Sequence, residues 1–242
     1  MKIKVLYEDT NVLAIDKPSG LAVHGDGRSK AKTVADWVLE NYPKMKNVGE
    51  DEVFENKKIK VEIRKPGIVH RLDRETSGVL LLAKNAKAYQ LLKDQFQNRE
   101  IKKTYLTVVS GSMKSERGVV NKPIGRSPND FRRYSAGRGA RGEMREAITQ
   151  YRVLKRFEDK KGNKFTYLEI HPKTGRTHQI RVHMKFLNHP IVCDDLYNPD
   201  AACPKEISRL ALHAKVIEFK NLKGESVKVE SPLPLDFKKL LC

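Results

Sequence analysis

Asp73 stands between two arginines in the run His70-Arg71-Leu72-Asp73-Arg74-Glu75-Thr76-Ser77-Gly78. A carboxylate flanked by guanidinium groups is expected to stay ionised, because neighbouring positive charge favours the charged form. Such a group can serve as a base or a nucleophile, and it can equally sit in a surface turn with ion pairs. Spacing alone favours the turn. A second cluster is Thr174-Gly175-Arg176-Thr177-His178-Gln179-Ile180-Arg181-Val182-His183. Gly175 permits a tight turn after a strand ending near His171-Pro172, and Thr177 can start a helix. On that helix Ile180, Met184 and Leu187 share an apolar face, while His178, Arg181 and Lys185 share a polar one. A cation in the first turns opposes the helix dipole, so Arg181 either points to solvent or answers a carboxylate. A phosphate held at this helix start is a further option.

These residues need a scaffold, and composition bounds it. The chain has 242 residues and a formal charge of +18, enough length for a buried core and enough charge to make nucleic acid the expected partner. No apolar run approaches transmembrane length, and the charged start Met1-Lys2-Ile3-Lys4 is no signal peptide; a cytoplasmic protein is expected. Cys193, Cys203 and Cys242 form no C-x-x-C pair, so they are expected to be reduced. With His183, His189 and His213 they match no common zinc spacing, and no metal is expected. A Walker motif and a dinucleotide fingerprint are both missing from the sequence. Nothing demands more than a monomer.

Short strands are expected at 3–7 and 12–15, then a helix capped by Thr33 that buries Val34, Trp37, Val38 and Leu39. Residues 43–65 read as an irregular surface insertion. A buried strand at 79–83 leads to a helix capped by Asn85 and running through Gln97, with Ala88, Leu91, Leu92 and Phe96 on one side. Lys103–Val109 reads as a strand, and Tyr105 on it as amphipathic core. Residues 111–146 are rich in Gly and Arg with little core-forming periodicity, a basic loop region. Strands return at 148–154, 165–170, 214–219 and 227–229, and a short helix follows Pro232 and Pro234. The expected class is α+β: a mixed, largely antiparallel sheet with packed helices in one domain, 1–242.

The H-R-L-D run resembles the catalytic motif of RluA-type RNA pseudouridine synthases, with Asp73 at the position of the essential aspartate. Thr174–His183, continued by Asn188-His189-Pro190-Ile191, is similar to a later motif of the same family. Lys103-Thr104-Tyr105-Leu106 matches its K-x-Y element, and Arg209-Leu210-Ala211-Leu212-His213-Ala214 its late R-L-x-L-H-A element. The opening Tyr7–His24, with Lys17-Pro18, resembles the first, structural motif. The five matches follow family order and cover nearly the whole chain, leaving no room for the N-terminal S4 domain of many relatives.

The resemblance implies the pseudouridine synthase fold, no cofactor, and a structured ribosomal or transfer RNA as substrate. It assigns catalysis to Asp73, to Tyr105 packing against the target base, and to Arg181 pairing with Asp73. Arg71 fills the space of the evicted base, and Leu212 lines the pocket; Arg176 and His178 join the substrate-binding set. Read from composition, Arg126, Arg132, Arg133, Arg138 and Arg141, interleaved with Phe131 and Tyr134, suit phosphate contact and base stacking, or else form a solvated loop. Two rivals remain: a non-catalytic RNA-binding protein, and a metal-dependent nuclease using Asp73, Glu75 and the pair Asp194-Asp195.

Overall fold

The structure is a computed structural model that describes residues 1–25, 29, 31–55, 60–137, 140–201 and 203–241. Strands β1 (Lys4–Glu8) and β2 (Val12–Lys17) pair antiparallel around a turn held by Asp9. The Asp9 carboxylate accepts from the amides of Asn11 and Val12 at 2.7 and 2.6 Å, the side-chain turn that Asp favours. Helix α1 (Val34–Asn41) opens with a capping box between Thr33 and Asp36. β3 (Glu52–Glu55) and β4 (Lys60–Ile63) form a hairpin. β5 (Ser77–Ala83) is buried at every position, and α2 (Ala86–Gln97) starts where the Asn85 side chain accepts from the Ala88 amide.

β6 (Lys102–Ser110), β7 (Arg117–Asn121), β8 (Ile124–Arg126), β9 (Tyr134–Ala136) and β10 (Arg141–Arg145) come next. β11 (Ile148–Glu158), β12 (Lys164–Pro172) and α3 (Gln179–Phe186) precede β13 (Leu212–Lys220), β14 (Ser226–Glu230) and α4 (Leu235–Leu241). The chain gathers into two units: Met1–Lys102 with Val216–Ser231, and Lys103–Lys215 with Pro232–Cys242. In the first, the strand order is β1-β2-β5-β13, with β14 paired to β13, and Val12, Leu81, Leu92 and Phe219 share one core. In the second, β6-β12-β11-β7 form an antiparallel sheet over a core containing Val108, Leu168, Met184, Leu212 and Phe237. The α+β, largely antiparallel class expected from the sequence is what the chain adopts.

Four local expectations are corrected. The 43–65 segment is not irregular throughout, since it contains the β3–β4 hairpin. The 111–146 region is built of β7 to β10, with β10-β8-β9 forming a small sheet of its own. Every residue of β10 is exposed, so no alternating apolar signal is written into it. Helix α3 starts from His178, not Thr177; His178 takes the left-handed conformation at φ +55°, which histidine adopts more readily than most side chains. Cys193 and Cys203 are joined in a disulfide with Cα atoms 5.2 Å apart, so the expectation of reduced thiols fails for this pair. Cys242 lies outside the described residues.

Candidate active site

The loop that carries Asp73 is fixed from behind by the first motif. Lys17, at the end of β2, is completely buried. Its ammonium donates to the carbonyls of Pro18, Leu21 and Arg74 at 2.9, 2.8 and 2.9 Å. Three carbonyls answering three N–H groups is the full capacity of an ammonium, which makes burial of that charge affordable. Ser19 donates its hydroxyl to the Glu75 carbonyl at 2.6 Å, and the Gly20 amide donates to the Arg74 carbonyl at 2.9 Å. The Thr76 amide closes the turn onto the Asp73 carbonyl at 3.1 Å. Upstream, His70 stacks on Phe96 and accepts from the Leu81 amide at 2.9 Å. Downstream, Gly78 sits at φ +113°, a conformation that a side chain would strain. Leu72 anchors the loop in the core, Asp73 is half-buried, and Arg71 and Arg74 are exposed. The resemblance implies a structural role for Lys17-Pro18, and the Lys17 ammonium reaches the Arg74 carbonyl of this loop.

In the second unit the Thr174–Arg176 turn and α3 form one network. Gln179 accepts from the Thr174 hydroxyl at 2.7 Å and the Arg176 amide at 3.0 Å, and donates to the Ile148 carbonyl and the Thr149 hydroxyl, both at 3.0 Å. Arg176 donates through Nε to the Glu146 carbonyl at 2.9 Å. His183 lies between the Thr149 hydroxyl and the Lys122 carbonyl, and burial pushes its pKa below the ordinary histidine value.

Arg181 is buried. Its Nε and Nη2 donate to the two Asp194 oxygens at 2.9 and 2.7 Å, a fork-on-fork pair. Asp194 also accepts from the Leu196 and Tyr197 amides at 3.1 and 3.0 Å. The guanidinium lies 5.0 Å from the centre of the Tyr197 ring, whose hydroxyl meets His178 Nδ1 at 3.0 Å and accepts from the Tyr134 amide at 2.9 Å. Arg181 therefore points inward, onto a carboxylate 13 positions along the chain. The sequence named Asp194 only as a nuclease candidate and did not single out Tyr197 or Gln179. Helical periodicity groups residues within α3 and says nothing of the turn folded against it.

Tyr105 and Lys103 are both partly buried on β6. Tyr105 packs against the core of its unit, and Leu212, at the start of β13, is part of that core. Lys103 donates to the Thr174 carbonyl at 3.4 Å, and burial lowers its pKa to about 8.

The basic segment is partly self-neutralised. Asp130 accepts from Arg132 at 2.8 Å and lies 3.4 Å from Arg133, and the bonds from Arg132 hold its pKa down at about 2. Arg126 donates to the Phe131 carbonyl and lies over the Tyr134 ring, while Phe131 itself is 76% exposed. Arg141 is exposed at the start of β10. Arg138 lies outside the described residues.

An α+β fold with a carboxylate loop braced by Lys17 and a buried arginine on α3 is the setting for the comparisons with known proteins. The family described as RNA pseudouridylate synthase matches residues 11–186. An uncharacterized RNA pseudouridine synthase of Bacillus subtilis, YlyB, is 34% identical over all of this chain and 72% of its own length. Ribosomal large subunit pseudouridine synthase D of Xanthomonas campestris is 36% identical over 99% of this chain and 68% of its own. Among solved structures, human RNA pseudouridylate synthase domain containing 4 superposes with a TM-score of 0.71 and 25% identity, covering 98% of this chain and 91% of its own. The chain belongs to the RNA pseudouridine synthase family and is an isomerase acting on RNA.

Proposed function

We propose that the chain converts particular uridines of a structured ribosomal or transfer RNA to pseudouridine, with Asp73 as the essential carboxylate. The single observation that carries this reading is the Asp73 loop. A completely buried ammonium and a serine hydroxyl fix its backbone from behind, as a carboxylate that must meet one atom of a substrate requires. The reaction breaks the N1–C1′ bond, turns the base, and joins C5 to C1′. A base within a stack offers no room for this turn, so the nucleotide is flipped out and Arg71 fills the space it leaves.

Asp73 takes the C2′ proton, uracil departs with the N1–C1′ electron pair, and a glycal remains. C5 then adds to C1′, the proton returns to C2′, the C5 proton passes to water, and N1 regains a proton from water. Tyr105 packs against the uracil ring, and Arg181 supplies fixed positive charge. Electrons balance without an oxidant or a metal. The test uses transcribed ribosomal and transfer RNA labelled with tritium at uridine C5. Wild type is expected to release tritium into water and Asp73→Asn is not; equal release by both refutes the role of Asp73. Deuterium at C2′ is expected to slow single-turnover release, and an unchanged rate refutes the glycal step.

A further inference from the structure

Lys17 is completely buried and Lys103 partly buried, and the fold treats them differently. Lys17 has three carbonyls within 2.9 Å. Lys103 has one hydrogen bond, to the Thr174 carbonyl, and it is long at 3.4 Å. Among the described residues no carboxylate pairs with it. A partly desolvated ammonium with one long hydrogen bond keeps donor capacity for an anion.

Its position says what the charge is for. In a strand, residues two apart share a face, so Lys103 and Tyr105 stand on the same side of β6, about 6–7 Å apart. That separation is comparable with the span from the base of a nucleotide to its phosphate. The ammonium also lies beside Gly175, where a Cβ would stand 3.7 Å from Nζ, in ordinary contact.

We propose that Lys103 binds a backbone phosphate of the RNA at the nucleotide whose base packs on Tyr105. The inference rests on the reading of Tyr105 as the base-packing ring. The surrounding charges are already engaged. On the Thr174–Arg176 turn, Arg176 bonds the Glu146 carbonyl, and at the start of α3 His178 meets Tyr197. On β12, His171 and Glu169 bond each other, with Arg152 on Glu169 and Thr104 on His171, and alternation turns Thr104 to the opposite face of β6. On β6 itself, Lys102 lies 3.9 Å from Glu218.

A lysine that titrates near pH 8 when RNA is absent, and is held charged when phosphate is bound, links binding to protonation. The experiment measures RNA affinity against salt and pH for wild type, Lys103→Met and Lys103→Arg, using the tritiated transcripts. Wild-type affinity is expected to fall about tenfold from pH 7 to pH 9. Lys103→Met is expected to lose that component of the fall, and its log–log salt slope to be shallower by about 0.7–0.9, one phosphate contact. Lys103→Arg is expected to keep the salt slope and lose the pH dependence, since a guanidinium stays charged. A Lys103→Met protein with the wild-type slope and pH profile overturns the proposal. So does a pair of variants that bind like wild type but release no tritium, because that assigns Lys103 to proton transfer. Loss of tritium release by Tyr105→Phe and Tyr105→Leu alike would fit a base-packing ring only if the Leu variant lost more; equal release by wild type and Tyr105→Leu refutes that underlying reading separately.

Discussion

Replacing Asp194 by alanine tests how Arg181 is held. The carboxylate receives two guanidinium hydrogen bonds and two backbone amides, all within 3.1 Å, and both side chains of the pair are buried. Alanine removes all four acceptor contacts and leaves the positive charge in place. Breaking a buried pair by deleting one partner costs about 3–5 kcal/mol, most of it the penalty of the stranded charge. That is a large part of the stability of an ordinary domain, about 5–15 kcal/mol, so the variant stands near the limit of folding. Asp194→Asn keeps the shape and one acceptor oxygen, and is expected to lose about half as much. The double variant Arg181→Met with Asp194→Ala removes the buried charge together with its Asp194 fork and is expected to be more stable than Asp194→Ala alone, although it carries one more substitution.

Urea unfolding followed by circular dichroism gives the three free energies. If Asp194→Ala costs less than about 1 kcal/mol, or if adding Arg181→Met lowers stability further, the reasoning is refuted. Activity gives an independent reading. A guanidinium held by a fork has one direction, and misplacement of a working group by about 1 Å costs on the order of 10²-fold in rate. Asp194→Asn, still folded, is expected to release tritium about a hundredfold more slowly while binding RNA normally.

Lys103 carries a pH signature in stability as well. Its folded pKa, about 8, lies below the ordinary 10.5. The unfolded chain therefore binds more protons across that window, and stability rises with pH from about 8 to 10.5. The gain is at most about 3 kcal/mol; the difference between wild type and Lys103→Met in urea midpoints against pH checks it, and a flat difference sinks it. Lys17→Met takes the ammonium from the Pro18 and Leu21 carbonyls, while the Arg74 carbonyl keeps the Gly20 amide, and is expected to cost about 3–5 kcal/mol, read by thermal unfolding, with tritium release falling before the fold is lost. Alanines at Arg126, Arg132, Arg133 and Arg141 are expected to weaken RNA binding and flatten its salt dependence, whereas Asp130→Asn, which frees Arg132 and Arg133, is expected to strengthen it. An unchanged affinity and slope in the arginine set identifies a merely solvated hairpin. Reducing the Cys193–Cys203 bond is expected to cost about 2–3 kcal/mol from loop closure, visible as a lower melting temperature in dithiothreitol.

The parts of the molecule that sequence made legible are those where one segment decides its own state. β5 is an apolar run buried on both faces, Asn85 and Thr33 are caps that satisfy the first amides of their own helices, and Gly78 is a local backbone demand. The residues that escaped depend on distant partners. Asp194 is an ordinary turn acid until Arg181 is seen on it, and Gln179 is a helix residue until its four hydrogen bonds tie the Thr174 turn to β11. The β10-β8-β9 sheet escaped for another reason: β8 and β9 are three residues each, too short to show a period, and every residue of β10 is exposed. The disulfide escaped because it was judged from cysteine spacing, while the approach of Cys193 to Cys203, Cα atoms 5.2 Å apart, is set by how the folded chain turns.

The charged residues of the two units divide by what stands behind them. Lys17 meets three carbonyls and steadies the loop of Asp73; Asp194 meets Arg181 with both oxygens and steadies the guanidinium. Each arrangement satisfies a buried charge within its own unit, so its cost is met on folding and no ligand is needed. Lys103 does not fit that pattern. Partly buried and held by one long hydrogen bond, it keeps donor capacity for an anionic substrate, whereas an ammonium already saturated by carbonyls would gain little from a phosphate. The contrast makes a single comparison decisive: RNA is expected to raise the pKa of Lys103 and to leave the labelling of Lys17 unchanged. Amine labelling near pH 8 with and without transcribed RNA reads both. Protection of Lys103 alone supports the phosphate contact, and equal labelling of Lys103 in both conditions removes it.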